Sequence, residues 1–340
     1  MVEALRPARE WHDVDAQTFR ERIASSDQPA VLRGVVRDWP AVERGKTSAT
    51  AIADYIKGFD RGSLVHIFYG EPSIRGRFFY TPDLKGFNFE RRNEPLAAFI
   101  DRVLASIDMQ DPPSLYAGAA PVPNSVPEFA AQNQLSLLPT TVVPRIWIGN
   151  KVTVSTHYDL SANVACVIAG RRRFTFFPPH QLGNLYVGPL DFTLAGQPVS
   201  LVDLSDPDYA RYPRFRNALQ HAMFAELEPG DAVYIPHLWW HHVESLDRFN
   251  VLVNYWWDTG LVFAGSPFLA LAHALLAIRH LPPSQRDAWR AIFEHYIFSG
   301  GADSIEHLPA DARGVLGTLT PELARSIKMF LIDGLGGNKR

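Results

Sequence analysis

Glu228-Pro229-Gly230-Asp231, Ala232-Val233-Tyr234-Ile235-Pro236 and His237-Leu238-Trp239-Trp240-His241-His242-Val243 follow one another without a gap. They spell a turn, a short apolar strand, a break at proline and a second strand. Pro229 and Gly230 supply the fixed and the positive φ that a tight turn needs. Adjacent side chains on a strand point to opposite faces, so His241 and His242 cannot both face one interior. Packing of both against Trp239 and Trp240 is the plainer alternative.

Outward from this stretch the texture is the same from Arg145 to Trp256. Strands are expected at Arg145–Gly149, Val152–Thr156, Asn163–Ala169, Arg172–Phe177, Val199–Val202, Ala222–Leu227, Ala232–Ile235, His241–Ser245 and Asn250–Trp256. Many short strands with Gly and Pro punctuation argue for a sandwich or barrel. Before them the elements are mixed: helical periodicity at Asp15–Ser25 and Ala49–Ile56, strands at Ala30–Gly34, Leu64–Tyr69, Arg77–Tyr80 and Ser114–Gly118, an amphipathic helix at Asn93–Asp108, and a proline-rich loop at Pro121–Pro127. After them three helices are expected, Pro267–His280, Ser284–Phe298 and Leu319–Gly334. The reading is therefore mainly β with flanking helices: N-terminal α/β elements over 1–110, a β-domain over 111–262 and a helical region over 263–340.

The composition sets bounds. The 340 residues are 46% hydrophobic and 20% charged, as in an ordinary globular chain. A formal net charge of −3 gives no global attraction to nucleic acid or to an anionic membrane. One cysteine, Cys166, excludes an intrachain disulfide and a thiolate metal cluster, and reads as a small buried hydrophobe. Neither a signal peptide nor a membrane span is legible, so the expected location is cytoplasmic.

The chemistry concentrates at Thr156-His157-Tyr158-Asp159. On a strand, His157 and Asp159 share a face and set an imidazole beside a carboxylate. One distant histidine would complete the 2-His-1-carboxylate facial triad of non-haem iron(II) oxygenases, which leaves three metal positions open. An H-x-D tripeptide alone is a weak signal; a surface His and Asp flanking a core Tyr is the alternative.

Ordered motifs carry a resemblance. His157-Tyr158-Asp159, Asn163, Gly170-Arg171-Arg172-Arg173, Phe177-Pro178-Pro179, Pro229-Gly230-Asp231, Tyr234-Ile235-Pro236, Trp239-Trp240-His241-His242-Val243-Glu244-Ser245 and Val253-Asn254-Tyr255-Trp256 resemble the Jumonji-C (JmjC) oxygenases of the cupin superfamily. Within them the run is most similar to the cupin-like branch that includes the asparaginyl hydroxylase acting on hypoxia-inducible factor. Ala30-Val31-Leu32-Arg33-Gly34 and Asp38-Trp39-Pro40 resemble the opening of that branch.

The resemblance implies a double-stranded β-helix (jelly roll) with Fe(II) held by His157, Asp159 and His241, and His242 as a neighbour. It implies 2-oxoglutarate as co-substrate and O2 as oxidant, with Arg172 on the distal carboxylate and Asn163, Asn254 and Tyr116 lining the same pocket. For Arg172 the alternative is a solvated strand charge, which suits Arg171 and Arg173 better. Trp256 falls beside iron and substrate in that pattern, or else in the barrel core. Val154 stands where relatives place a threonine hydroxyl for the co-substrate, with Thr153, Ser155 and Thr156 around it. The implied activity is hydroxylation of a protein or peptide side chain with release of succinate and CO2. A small-molecule substrate, or a cupin-like binding module without turnover, are the alternatives. C-terminal helices serve as dimer contacts in related hydroxylases, so a homodimer is expected.

Overall fold

The structure is a computed structural model that describes residues 5–258, 260–299 and 305–336. The chain divides into two compact units, Met1–Asp258 and Thr259–Arg340.

The strands of the first unit, in chain order, are β1 (Arg6–Pro7), β2 (Arg9–His12), β3 (Ala30–Arg33), β4 (Leu64–Gly70), β5 (Glu90–Pro95), β6 (Ser114–Pro121) and β7 (Pro144–Gly149). They continue as β8 (Thr153–His157), β9 (Ala162–Ala169), β10 (Arg172–Phe177), β11 (Met223–Leu227), β12 (Ala232–Ile235), β13 (Trp240–Ser245) and β14 (Asn250–Trp257). They form a five-stranded sheet, β1-β11-β10-β13-β8, and a nine-stranded sheet, β2-β3-β12-β9-β14-β7-β6-β4-β5. Both are mixed, since β1 pairs with β11 and β2 with β3 in parallel while the inner strands pair antiparallel. This is the mainly β architecture expected from the strand pattern, consistent with a jelly roll.

Two cores follow from the alternation of side chains. Ala165 and Val167 of β9, Phe174 and Phe176 of β10, Val233 and Ile235 of β12, and Leu252 of β14 pack together between the sheets. Their neighbours on the same strands, among them Val164, Cys166, Ile168, Val251 and Val253, pack on the other face, with Ile52 and Ile56 of helix Ala49–Lys57 and Phe99 and Ile100 of helix Leu96–Ala105. The middle of the large sheet is thus buried on both sides, and every residue of β9 is buried. Cys166 is buried there, and burial pushes its thiol far up.

Two turns fix the register. Gly170, between β9 and β10, has φ +71, and a Cβ there would lie 2.3 Å from Asn250 Oδ1. In the Glu228–Asp231 turn, Asp231 N donates to Glu228 O at 3.0 Å. The Asp231 carboxylate accepts from Arg33 Nη1 at 2.6 Å and Gly34 N at 2.9 Å. The Arg33-Gly34 and Pro229-Gly230-Asp231 motifs are therefore two halves of one junction.

Some expectations shift. Arg77–Tyr80 and Val199–Val202 are not strands; Arg77, Tyr80, Val199 and Ser200 make isolated bridges. These segments are largely buried by side-chain packing but meet a backbone partner only at single points. The start of the Asn93–Asp108 helix is strand instead: β5 runs to Pro95, and the helix covers Leu96–Ala105. The Pro121–Pro127 loop contains a helical turn, Val122–Ser125. β1, β2 and β5 were not foreseen, because such edge strands carry charges rather than alternating apolar residues.

The second unit holds helices Pro267–Ala277, Pro283–Phe293 and Pro321–Leu335. Pro at the first turn of each fits an N–H that has no helical partner. Ser266 and Thr320 cap the first and third of these helices. Among the described residues no helix is long and apolar enough to cross a membrane.

Candidate metal centre and the cavity beside it

His157, at the end of β8, pairs directly with His241 of β13. The register then slips: Val243 pairs with Val154, so three steps on β8 match two on β13. This is a β-bulge, and one extra residue reverses the facing of what precedes it. Val154 and His157 therefore line one cavity although they stand three positions apart, an odd offset that would put them on opposite faces of a regular strand. His242 faces the other way, where its Nδ1 lies 3.3 Å from Thr156 Oγ1.

Asp159 follows β8, and the Leu238 amide donates to its carbonyl at 3.1 Å, tying it to the approach of β13. Its carboxylate sits between the two imidazoles. Oδ1 is 3.9 Å from His157 Nε2, and Oδ2 is 3.6 Å from His241 Nε2. The three ligand atoms lie within 4.8 Å of one another, the one such cluster of His, Cys, Asp and Glu among the described residues. Donors about 2.1 Å from one ion lie roughly 3–4 Å apart, so the set is spaced to close on a divalent metal.

Both imidazoles are oriented for that task. His157 Nδ1 donates to Ser155 O at 2.9 Å, and His241 Nδ1 donates to Trp239 O at 3.0 Å. An Nδ1–H committed to a carbonyl leaves the Nε2 lone pair free for a metal. Burial, reinforced by the neighbouring His157, pushes the His241 pKa down to about 4, against the opposing pull of Asp159. His241 is thus a neutral donor at physiological pH, as metal binding requires. Burial also pushes His242 down to about 3.

The structure gathers the other sequence-picked residues around the same cavity: Tyr116, Asn163, Arg172, Asn254 and Trp256. Trp256 Nε1 donates to Asp159 Oδ2 at 3.1 Å and so holds the carboxylate in place. Asn254 accepts from Trp147 Nε1 at 2.6 Å and donates to Asn163 Oδ1 at 3.1 Å. That relay spends the Asn163 oxygen and leaves its amide NH2 as a donor. Tyr116 stacks on Trp147, with centroids 5.7 Å apart. Burial raises its phenol pKa, and the Arg172 guanidinium beside it opposes the rise.

Arg172 is the singular feature. It is 1% exposed, yet its Nε and Nη2 are buried without a hydrogen-bond partner. A buried guanidinium with idle donors is costly unless an anion completes it. Arg171 and Arg173 instead reach Asp247 and Glu226 at the surface. Val154 offers no hydroxyl to the cavity, while Ser155 Oγ is buried and unpartnered.

Trp147 had no role in the sequence reading, and Ser155 entered it only as one of the hydroxyls around Val154. A tryptophan on a core strand looks like packing until its indole N–H is seen to feed the Asn254–Asn163 relay. A larger cavity of about 520 Å3 adjoins the first, sharing Tyr116, Trp147, Val154, His157, Asp159 and Trp256 with it.

Sequence comparison agrees with this geometry. A zebrafish (Danio rerio) protein named tRNA wybutosine-synthesizing protein 5 is 27% identical over 317 residues, covering 82% of this chain and 87% of its own. The Arabidopsis thaliana protein named lysine-specific demethylase JMJ31 is 38% identical over 105 residues, which is 31% of this chain and 19% of that protein. Human HSPB1-associated protein 1 is 34% identical over 113 residues, 33% of this chain and 22% of its own. The match thus spans about a fifth of the last two relatives and most of the first. Residues 16–261 match the cupin-like domain family, and the chain belongs to that JmjC-type family.

Proposed function

We propose that the protein is an Fe(II)- and 2-oxoglutarate-dependent dioxygenase that hydroxylates a side chain of a protein or peptide. The observation that carries this reading is the pairing of two features in one cavity. Two imidazoles and a carboxylate are poised on a metal position, and a buried arginine has two unspent N–H donors. The first suits a divalent metal, and the second suits the distal carboxylate of a dicarboxylic acid.

His157, Asp159 and His241 would hold the iron. Bound there with its co-substrate, iron supplies a four-electron reduction of O2: two electrons come from decarboxylation of 2-oxoglutarate to succinate and CO2, and two from a substrate C–H bond that becomes C–OH. The remaining work belongs to the chain. Arg172 neutralises and orients the co-substrate carboxylate, with Tyr116 beside it and the Asn163 amide as a further donor. Trp256 fixes Asp159 so that it keeps one orientation. Phe174, Ile235, Val243 and Leu252 wall the inner cavity and exclude water. Val154 leaves one co-substrate hydrogen bond unmade in the inner cavity.

The experiment is succinate release from 2-oxoglutarate under air with Fe(II) and ascorbate, comparing wild type with Asp159→Ala. Succinate from the wild type alone is the expected result. If neither protein forms succinate and 2-oxoglutarate does not bind, the site serves another chemistry or acts as a binding module.

We also propose that the C-terminal unit pairs with that of a second copy. Its described helices leave Leu269, Leu276, Phe298 and Phe330 about two-thirds exposed or more, at 67%, 71%, 72% and 68%. So much apolar surface on one helical unit is usual for an interface and unusual for a surface in water.

A further inference from the structure

We infer that the side chain admitted beside the metal centre is apolar or aromatic and carries no positive charge, so that lysine and its methylated forms are excluded. This rests on the oxygenase reading above and names the substrate class of that same site. The outer cavity, about 520 Å3, is the space from which a substrate reaches the triad, because His157 and Asp159 form part of its wall. Its size accommodates one large side chain or a small molecule.

Three observations on that wall point the same way. First, Phe68, Phe78, Tyr116, Trp147 and Trp256 supply flat apolar surface. Tyr116 stacks between Trp147 and Phe78, at 5.7 and 6.4 Å. Second, Asp159 is the sole carboxylate among the described residues of the wall, and it belongs to the metal cluster. An ammonium entering here would find no acidic partner, and it would meet Arg91, another wall residue.

Third, two of the five wall rings, Phe68 and Trp256, already face a cation. The Arg91 guanidinium lies 5.9 Å from the Phe68 centroid, 4.9 Å from Phe87 and 5.9 Å from Phe89. Arg145 lies 5.5 Å from the Trp256 ring. Aromatic cages bind methylated ammonium groups through ring faces that no other cation uses. Here arginines occupy Phe68 and Trp256, and Tyr116 is spent on stacking with Phe78 and Trp147, so the wall offers dispersion and stacking rather than a free cage. Arg91 is itself held in place, because Nη2 donates to Leu194 O at 2.5 Å and Thr193 O at 3.2 Å, carbonyls of two residues that also line the cavity.

The test uses the full chain with Mn(II) and 2-oxoglutarate, and capped pentapeptides Gly-Gly-X-Gly-Gly with X as Phe, Leu, Lys or trimethyl-Lys. Binding is read by intrinsic tryptophan fluorescence and by ligand-observed NMR. The Phe peptide should bind at least about tenfold tighter than either lysine peptide at low salt, where the like charge of Arg91 at the cavity wall is screened least. Arg91→Glu should collapse that ratio. Arg91→Gln, which still can reach a carbonyl, should give an intermediate ratio, with circular dichroism confirming the fold. The wild-type panel decides the matter even if both variants misfold.

Equal or tighter binding of a lysine peptide overturns the inference, and so does failure of the Phe peptide to bind at millimolar concentration. Succinate release in a parallel assay separates the two levels. Apolar selectivity without succinate refutes the oxygenase reading alone. Succinate formation stimulated best by a lysine peptide refutes the substrate class alone.

Discussion

Arg172→Met should stabilise the protein and cripple its binding of 2-oxoglutarate at the same time. In the wild type, the guanidinium is 1% exposed with Nε and Nη2 unpaired. Replacing a buried, incompletely paired charge by an apolar side chain of similar length commonly gains about 1–4 kcal/mol. The free protein should therefore melt several degrees higher. The co-substrate loses two charge-assisted hydrogen bonds, each worth about 1.5–3 kcal/mol. At the lower bound the sum is about 3 kcal/mol, which is a loss of roughly a hundredfold or more in affinity. Calorimetric titration of 2-oxoglutarate into Mn(II)-loaded protein measures one arm, and thermal unfolding of the metal-free protein measures the other. A variant that is less stable and binds 2-oxoglutarate as well as wild type would refute the reasoning, because Arg172 would then be a structural strut. Arg172→Lys should restore part of the affinity, since an ammonium offers the charge without the fork.

Other consequences of the geometry are open to direct measurement. His157→Ala should remove most of the bound Mn(II) in equilibrium dialysis while leaving the circular dichroism spectrum intact. Trp256→Phe deletes the donor to Asp159 Oδ2; such outer-sphere losses typically weaken metal affinity about 10–100-fold, and unchanged affinity would show that Asp159 needs no such anchor. The metal-free protein should be acid-labile. His241 and His242 sit at about 4 and 3 in the fold against an ordinary 6.5, so the unfolded chain takes up protons first. Stability is therefore full above about pH 6.5 and falls as the pH drops towards 4 and then 3, by several kcal/mol over the range; a flat urea midpoint between pH 7 and 5 would contradict it. The solution mass should be that of a dimer, and Leu276→Glu with Phe330→Glu should yield a monomer; a monomeric wild type would end that proposal.

Much of the centre was legible in the residues because strand geometry is local. A period of two separates His241 from His242, and a spacing of two keeps Asp159 within reach of His157 although the strand ends at His157. The glycine and proline turns were legible for the same reason: their φ requirements are properties of single residues. Arg77–Tyr80 and Val199–Val202 misled because an apolar or aromatic run matches a strand whether or not a partner lies alongside. Edge strands β1, β2 and β5 stayed hidden because an edge exposed to water has no need of apolar alternation.

What the sequence by itself determined is the His157–Asp159 pair and the mainly β class, since these depend on residue type and short-range spacing, while His241 as third donor came with the family resemblance. Tertiary structure alone decided that a bulge turns Val154 and His157 to one cavity, that Trp256 and Trp147 spend their indole N–H groups on Asp159 and Asn254, and that Arg172 keeps two donors unspent. Arg91 and Arg145 over the aromatic wall belong with these. Each depends on which groups meet across strands distant in sequence, and hydrogen-bond satisfaction is a property of the meeting rather than of the residue.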